Sequence, residues 1–556
     1  MKKRTQRLVA LALSAMMVFG MVGCGNETPV TNTESQTTKE TENKQTNVAT
    51  ESKVEEVVVS YPIETKETFT IFTNIGLLNN AYVSYTESPF FQGLAERTGI
   101  DAEWQFPTPG SEATQAYNLM LTEKKLPDII FTNQVNNAAS GYKALLQDDL
   151  IWDLTDYLPT YAPDLWAVLN QPEYEYVLEG LKTEDGRIGF VPSFVEGDYN
   201  ITYMGPVVRK DWLDECGLDI PVTLEDWEDM LTKFKEKYGA GYATAKSYFA
   251  SSYGLQSGTG AFGGLMGRWF LDNGEVKYSA IQPEWKEYVT IMNRWYENGL
   301  IDPDSVSMDN ATLRAKAIKN EVGATFVPMS QLTNLINDAA AENTGAEWIG
   351  VGYPRTEAGA PTTWIQSQAK NSTGVGAAIT KSCSEEKMIV ALQYLNYGFT
   401  EEGMNYWNFG VEGETYTVDS EGNIAWTELI TKDEQGTGTA LSKYTGVSSS
   451  GITIQTSAFV KAKNHPVAGE AVYTWIENST AREYYVPSLT MTEEETTAYA
   501  DTYSAIASYV AEMALKFATG EESLDNFNAF LEKLDEMELP KCIEIQNAAY
   551  DRIAGK

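Results

Sequence analysis

LMLTEKKLPDIIFTN, residues 119–133, is the stretch on which the fold turns. Together with the preceding residues from Gly110, its spacing predicts a helix with Ala116, Leu119, Met120 and Leu126 on one apolar face. Pro127 closes that helix, and PDIIFTN follows as a short apolar run of the kind that is buried on both faces in a parallel sheet. Working upstream, ETFTIFTN (67–74) alternates apolar and polar residues and reads as a strand. ESPFFQGLAERTGI (87–100) reads as a helix that Gly99 terminates. DAEWQFP (101–107) reads as a second strand, stopped by Pro107. Strand, helix, strand, helix, strand is the order of an α/β lobe built on a parallel sheet.

Downstream, EDGRIGFVPSF (184–194) is a turn leading into a strand. Residues 201–239 read as strand, helix, loop, helix. Thr223 is the N-cap of the second helix, and Asp226 takes the capping-box place that Glu or Gln usually fills. Trp212, Trp227 and Trp295 fall on amphipathic helices and are expected in the core. Residues 283–305 give a helix capped at Gly299, 319–330 a strand opening into a loop, and 374–410 strand, helix, helix. The last hundred residues are mostly helical in pattern.

Composition excludes many functions. The formal charge of −37 disfavours nucleic acid and anionic lipid headgroups as partners of the body. It also weighs against a polyanionic ligand, although one basic pocket would override this. With four Cys there is no disulfide framework. The single histidine, His465, rules out two-His metal sites and leaves a Ser-His-Asp relay only one base to use. GxxxxGK[ST], GxSxG and CxxC are all absent. A carboxylate-pair glycosidase survives, because 78 acidic residues leave many possible pairs.

The N-terminal region carries its own signal. MKKRTQR is basic, and residues 8–23 are 16 residues without a charge, fewer than the ~20 needed to span a bilayer. Cys24 follows Met21, Val22 and Gly23, and this resembles the lipobox of bacterial lipoproteins. The expectation is a signal peptide over 1–23 and an acylated Cys24 at the head of a polar, disordered tether over 24–65. The remaining body, about 490 residues, is too long for one core and is expected to split into lobes.

Seven segments in order resemble the family 1 extracellular solute-binding lipoproteins of bacterial ABC importers, in the large subgroup with alginate-binding and other oligosaccharide-binding members. They are ERTGIDAEW (96–104), residues 119–133, LIWDLTDYLPTYAPDL (150–165), DGRIGFVPSF (185–194), residues 207–237, NRWYENGLIDPDS (293–305) and NFGVEGETYTVDSEGN (408–423). The resemblance implies an α/β, periplasmic-binding-protein-like type II fold, with two lobes, a hinge and an interlobe ligand cleft. It places lobe 1 in 66–192 and 366–435, lobe 2 in 193–365, and a mainly helical part, mostly of lobe 2, in 436–556. The chain is expected to cross near 192–200, near 355–374 and within 425–450. Some members of the subgroup carry an EF-hand-like calcium loop. KTEDGRIGF, with Glu184, Asp185 and Gly186, has too few oxygen ligands at the right offsets for a full loop, so no cofactor is expected and a structural calcium is left open as the alternative.

The function implied is capture of an oligosaccharide and its delivery to permease subunits, by a monomer held on the outer face of the membrane through lipid. A sensory or adhesive glycan-binding lipoprotein is the alternative, and a glycoside hydrolase a third. Sugar rings stack on aromatic faces and their hydroxyls need polar partners, so candidates lie on loops at strand ends facing the crevice. After the first strand these are Asn79, Asn80, Tyr82 and Tyr85, and after PDIIF, Asn133 and Gln134. Near the first crossing they are Ser193, Asp198, Tyr199 and Arg209, although Arg209 and Asp211 also read as a structural pair. The Gly-rich 247–270 reads as a cleft loop carrying Tyr253, Phe262 and Trp269. Ser330, Gln331, Trp364, Trp407 and Glu412 complete the set, with Trp269 and Trp364 favoured because neither sits in a helical pattern.

Overall fold

In this computed structural model the residues described are 58–73, 85–107, 113–132, 135, 141–183, 185–197, 202–250, 255–261, 267–365, 372–446, 451–487, 489 and 491–555. They belong to one compact unit, Val57–Lys556. The stretch that opened the sequence reading forms a helix, Ala113–Glu123, and then a strand of which all four residues are buried. The helix turns Tyr117 fully inward, with Met120, Leu121 and Leu126 packed at its margin. Leu119, expected on that face, is 58% exposed. It lies two residues, or about 200°, from Tyr117 around a helix of 3.6 residues per turn.

The strands are β1 (Phe69–Thr73), β2 (Ala102–Gln105), β3 (Ile129–Thr132), β4 (Val191–Val195), β5 (Met204–Arg209), β6 (Trp269–Asp272), β7 (Glu275–Tyr278), β8 (Ala324–Pro328), β9 (Trp348–Gly350), β10 (Ser372–Ile379), β11 (Tyr416–Val418), β12 (Ile424–Trp426) and β13 (Ile454–Gln455). One sheet has the order β13-β4-β10-β3-β1-β2. Its β1 pairs in parallel with both β2 and β3, while β10 runs antiparallel between β3 and β4. A second sheet, β8-β5-β9, is antiparallel throughout. Helices cover both, as buried strands require.

The chain leaves the first sheet after Val195, enters the second at Met204, and returns from β9 to β10. β13 still belongs to the first sheet, and the helix Thr437–Tyr444 packs on Pro89–Thr98 beside it. The helix Pro466–Ile476 packs on β9 and β5. The chain therefore passes from the first sheet to the second between Gln455 and Pro466, later than the expected 425–450. The N-terminal boundary shifts too. Tyr61 and Ile63, assigned to the tether by composition, are tied to the body. Tyr61 donates to the Gln393 carbonyl at 2.8 Å, and the Ile63 N–H donates to the Thr98 carbonyl at 2.8 Å.

Local signals hold where they are strong. Thr223 and Asp226 form the reciprocal capping box, and Gly99 closes its helix in the left-handed conformation at φ 74°. Trp212, Trp227 and Trp295 are buried.

Asp128, within the opening stretch, ties β3 to its surroundings. One carboxylate oxygen accepts from the Thr70 N–H at 2.8 Å and the Thr70 hydroxyl at 2.9 Å, and the other pairs with the Lys387 ammonium at 3.0 Å. Burial pushes its pKa up, but the Thr70 and Lys387 bonds outweigh this and hold it below the ordinary value. Cys383 donates to the same carboxylate at 3.4 Å, and burial, then Asp128, pushes its thiol up to about 12. A carboxylate with a lowered folded pKa stabilises the fold above its unfolded value, near 3.9, and that contribution disappears as pH falls through the folded value. Asp128→Asn leaves Lys387 half-enclosed without a counter-charge and is expected to cost about 3 kcal/mol at neutral pH. Urea titrations between neutral and acid pH will show the gap to the native chain closing as the acid limb is crossed.

Candidate functional site

The Gly-rich segment expected to form a loop instead ends in a hairpin. WFLDNGEVKY (269–278) pairs β6 with β7 around Asn273 and Gly274, whose φ values of 52° and 79° are those of a two-residue hairpin turn. Two hydrogen bonds of 2.8 Å join Val276 to the Asn547 side chain and pin the hairpin to the C-terminal helix Leu539–Ala554. Trp269 at the hairpin's start packs against Tyr278 (ring centroids 4.8 Å apart) and against Tyr503 (5.5 Å) from the long helix Glu493–Thr519.

Trp364 comes from the second crossing. It meets Tyr353 edge-on at 6.2 Å, and the Tyr353 hydroxyl donates to the Met204 carbonyl at 2.8 Å. That crossing is laced to the chain after Pro466–Ile476: Thr362 N–H donates to the Asn478 carbonyl at 3.0 Å and Thr480 N–H to the Thr362 carbonyl at 2.9 Å. The same chain continues into Tyr484 and Tyr485. These three sources build one cavity of ≈ 480 Å³, walled by Trp269, Phe270, Trp364, Tyr484, Tyr485 and Tyr503, with Arg268 and Gln546 as polar groups. Its size is that of a small-molecule site, and its surface divides almost evenly between polar and apolar atoms. Burial raises the phenols of Tyr499 and Tyr503, so near neutral pH they are uncharged hydroxyls. The buried Trp269 indole nitrogen has no partner at hydrogen-bond geometry among the described residues; the polar groups near it are these two hydroxyls.

The structure thus brings Trp269 and Trp364 together. Other candidates go elsewhere. Tyr85 is 1% exposed, stacked on Phe91 and edge-on to Trp104, and belongs to the core. Trp407 is buried between Phe90 and the backbone at Gly446 and Gly451, where an added Cβ would approach the indole to 2.0 and 2.3 Å. Arg209 is buried, with three of its five guanidinium N–H donors engaged by Asp211 (2.8 and 2.6 Å) and Asn320 (2.7 Å), and stacks over Trp212 at 4.5 Å. It is a structural pair, not a ligand clamp. Ser193 is buried in β4, and its hydroxyl has no partner among the described residues. Ser330 is exposed and Gln331 half-buried in the first turn of the helix Met329–Ala341, and Glu412 is exposed beside β11. Asn79, Asn80, Tyr82, Asn133, Gln134, Asp198, Tyr199, Tyr253 and Phe262 lie outside the described residues. Tyr484 and Tyr485 went unnoticed in the sequence, although REYYVP (482–487) has the non-helical aromatic pattern that singled out Trp364.

Among the described residues no group of three His, Cys, Asp or Glu side chains could hold a metal, and no helix is long and apolar enough to cross a membrane. In the short calcium-loop candidate, Glu184 is outside the described residues and Asp185 is engaged by the Thr183 hydroxyl and by Arg187 at 2.8 Å.

Lys463 ends the helix Ser457–Lys463, at the third crossing. Its ammonium lies 5.7 Å from the Phe459 ring and has no carboxylate at ion-pair distance among the described residues. Burial lowers its pKa. The folded state therefore holds this proton less tightly than the unfolded chain does. The resulting penalty is full at low pH and fades as pH climbs from the lowered value toward the ordinary lysine value, about 10.4. Lys463→Met is expected to raise the urea midpoint at neutral pH, with the gain shrinking in alkaline buffer; a destabilised variant would show the ammonium to be a needed partner.

No family model matches the chain. Among curated proteins it is 24% identical to Lipoprotein LipO of Bacillus subtilis over 46% of this chain and 50% of that one. It is 25% identical to the fructooligosaccharide ABC transporter substrate-binding protein FusA of Streptococcus pneumoniae over 48% and 51%. The chain spans about half the length of these curated relatives. Among solved structures it superposes on the alginate-binding protein AlgQ2 with TM-score 0.69 at 20% identity, covering 88% of this chain and 100% of that one. An extracellular solute-binding protein from Bifidobacterium longum subsp. infantis gives 0.70 at 19% identity, over 87% and 98%. The chain has the two-lobed fold of type II solute-binding proteins, and in sequence it is similar to a bacterial lipoprotein and to a substrate-binding protein of a bacterial ABC transporter.

Proposed function

We propose that this protein captures an oligosaccharide outside the cytoplasmic membrane and presents it to the permease of an ABC importer, as a monomer and without chemical change to the sugar. The observation that carries this reading is the aromatic-walled cavity beside the second crossing, where Trp269 and Trp364 offer flat apolar faces and Arg268, Gln546 and Tyr503 offer polar contacts. Pyranose or furanose rings present the matching surface, apolar C–H faces and a rim of hydroxyls. The relatives support the same reading, since FusA is described as a fructooligosaccharide-binding component of an ABC transporter. Among the described residues the cavity draws no wall from the first sheet, so it lies on the second lobe and its crossings and not across the expected interlobe cleft; the crossings supply the hinge that would bring the first lobe toward it.

Calorimetric titration with a panel of oligosaccharides tests this directly. A ligand should be found, it should be recovered intact after prolonged incubation, and Trp364→Ala should weaken it about tenfold or more, as loss of a central aromatic contact does. Binding of a peptide or an ion with no saccharide bound would sink the proposal.

The name of the relative LipO fits the second part of the proposal, a thioether-linked, acylated Cys24 holding the body to the membrane through a polar tether. Intact mass of the chain purified from native membranes should correspond to a start at Cys24 plus acyl chains. An unmodified Cys24, or a retained Met1, would remove the tether and leave the cavity argument standing.

A further inference from the structure

A second cavity, also ≈ 480 Å³, adjoins the aromatic one and shares Phe270 and Tyr484 with it as walls. It lies on the other side of the β6–β7 hairpin and is polar in character. Thr259 and Ser279 are buried on its floor, and the Thr363 hydroxyl oxygen is shut off from solvent with no partner among the described residues. Thr363 precedes Trp364, so neighbouring residues of one crossing face the two cavities.

The charge of this second cavity is one-sided. Asp272 and Glu284 line it, and the one ammonium there, Lys277, is held by Asp272 at 2.7 Å with Glu275 at 4.0 Å. Asp272, Glu275 and Glu284 all act to keep Lys277 protonated. Among the residues that line this cavity, Asp272 and Glu284 outnumber Lys277 by one, and the exposed Glu275 stands outside the lining. Arg268, the other cation on the joined walls, is exposed at the aromatic end.

We propose that the two cavities form one groove for an uncharged oligosaccharide of three or more units, its rings stacked at the Trp269–Trp364 end and its hydroxyls hydrogen-bonded at the Asp272–Glu284 end. This rests on the saccharide reading above and sharpens it. Ionised carboxylates are strong acceptors for sugar hydroxyls, whereas a uronate placed against Asp272 and Glu284 meets like charge. The groove thus discriminates by charge as well as by shape.

The test is calorimetry on the full mature chain with length-matched neutral glycans (gluco-, fructo-, galacto- and manno-series) and oligogalacturonates and oligoalginates. The preferred neutral series should bind about tenfold or more tightly as a trisaccharide than as its monosaccharide, and about tenfold or more tightly than any uronate. Asp272→Asn with Glu284→Gln should shrink the neutral-over-uronate ratio, while Glu287→Gln, on the following helix turn, should leave it unchanged. A uronate preferred by the native chain, a monosaccharide bound as tightly as the trisaccharide, or an unchanged ratio in the double variant overturns the inference alone. Binding of no saccharide at all overturns both this inference and the saccharide reading. Circular dichroism and thermal melts of the double variant separate a lost fold from a lost preference.

Discussion

The pairing of β4 with β10 is the contact on which the arrangement of the two sheets depends. β4 is the strand from which the chain departs for the second sheet, and β10 is the strand on which it returns. Because they are neighbours, antiparallel and hydrogen-bonded, the first two crossings start and finish side by side. The approach is close: a Cβ on Gly376 would come within 2.3 Å of the Val191 carbonyl and 2.4 Å of the Phe190 ring. The strand that completes the sheet therefore admits a glycine there and little else. β13 then docks on the other edge of β4, so the third crossing begins next to the first. All three links between the lobes start from one corner of one sheet.

Much of the first lobe was legible in the sequence because its signals are local. The alternation in 67–74, the apolar run 129–131 and the glycine stop at Gly99 need no knowledge of distant residues. The insertion of β10 between β3 and β4 joins residues more than 170 positions apart, and no spacing rule carries that information. The hairpin at 269–278 was hidden for another reason. Its glycine-rich approach invited a loop reading of 247–270, and the Asn273–Gly274 turn signal lies just beyond that segment.

The aromatic residues show the same division. Trp407, Trp364 and Trp269 have the same chemistry and differ in what surrounds them. Trp407 lies against two glycines that leave room only for its own indole. Trp269 and Trp364 sit where a hairpin, a crossing and a C-terminal segment meet without closing over them, which leaves a cavity. Their lack of helical pattern was a usable clue, because a residue that no regular element claims is free to face a gap. Arg209 marks the limit of that logic. A charged side chain at a strand end resembles a ligand clamp until Asp211 and Asn320 are seen to hold it from three of its nitrogens.

The attachment of Tyr61 and Ile63 is one-sided. Both bond to elements of the first lobe, Tyr61 to the helix that follows β10 and Ile63 to the end of the helix before β2. Both attachments made by residues 61 and 63 therefore fall on the first lobe, and neither reaches the lobe that carries the hairpin.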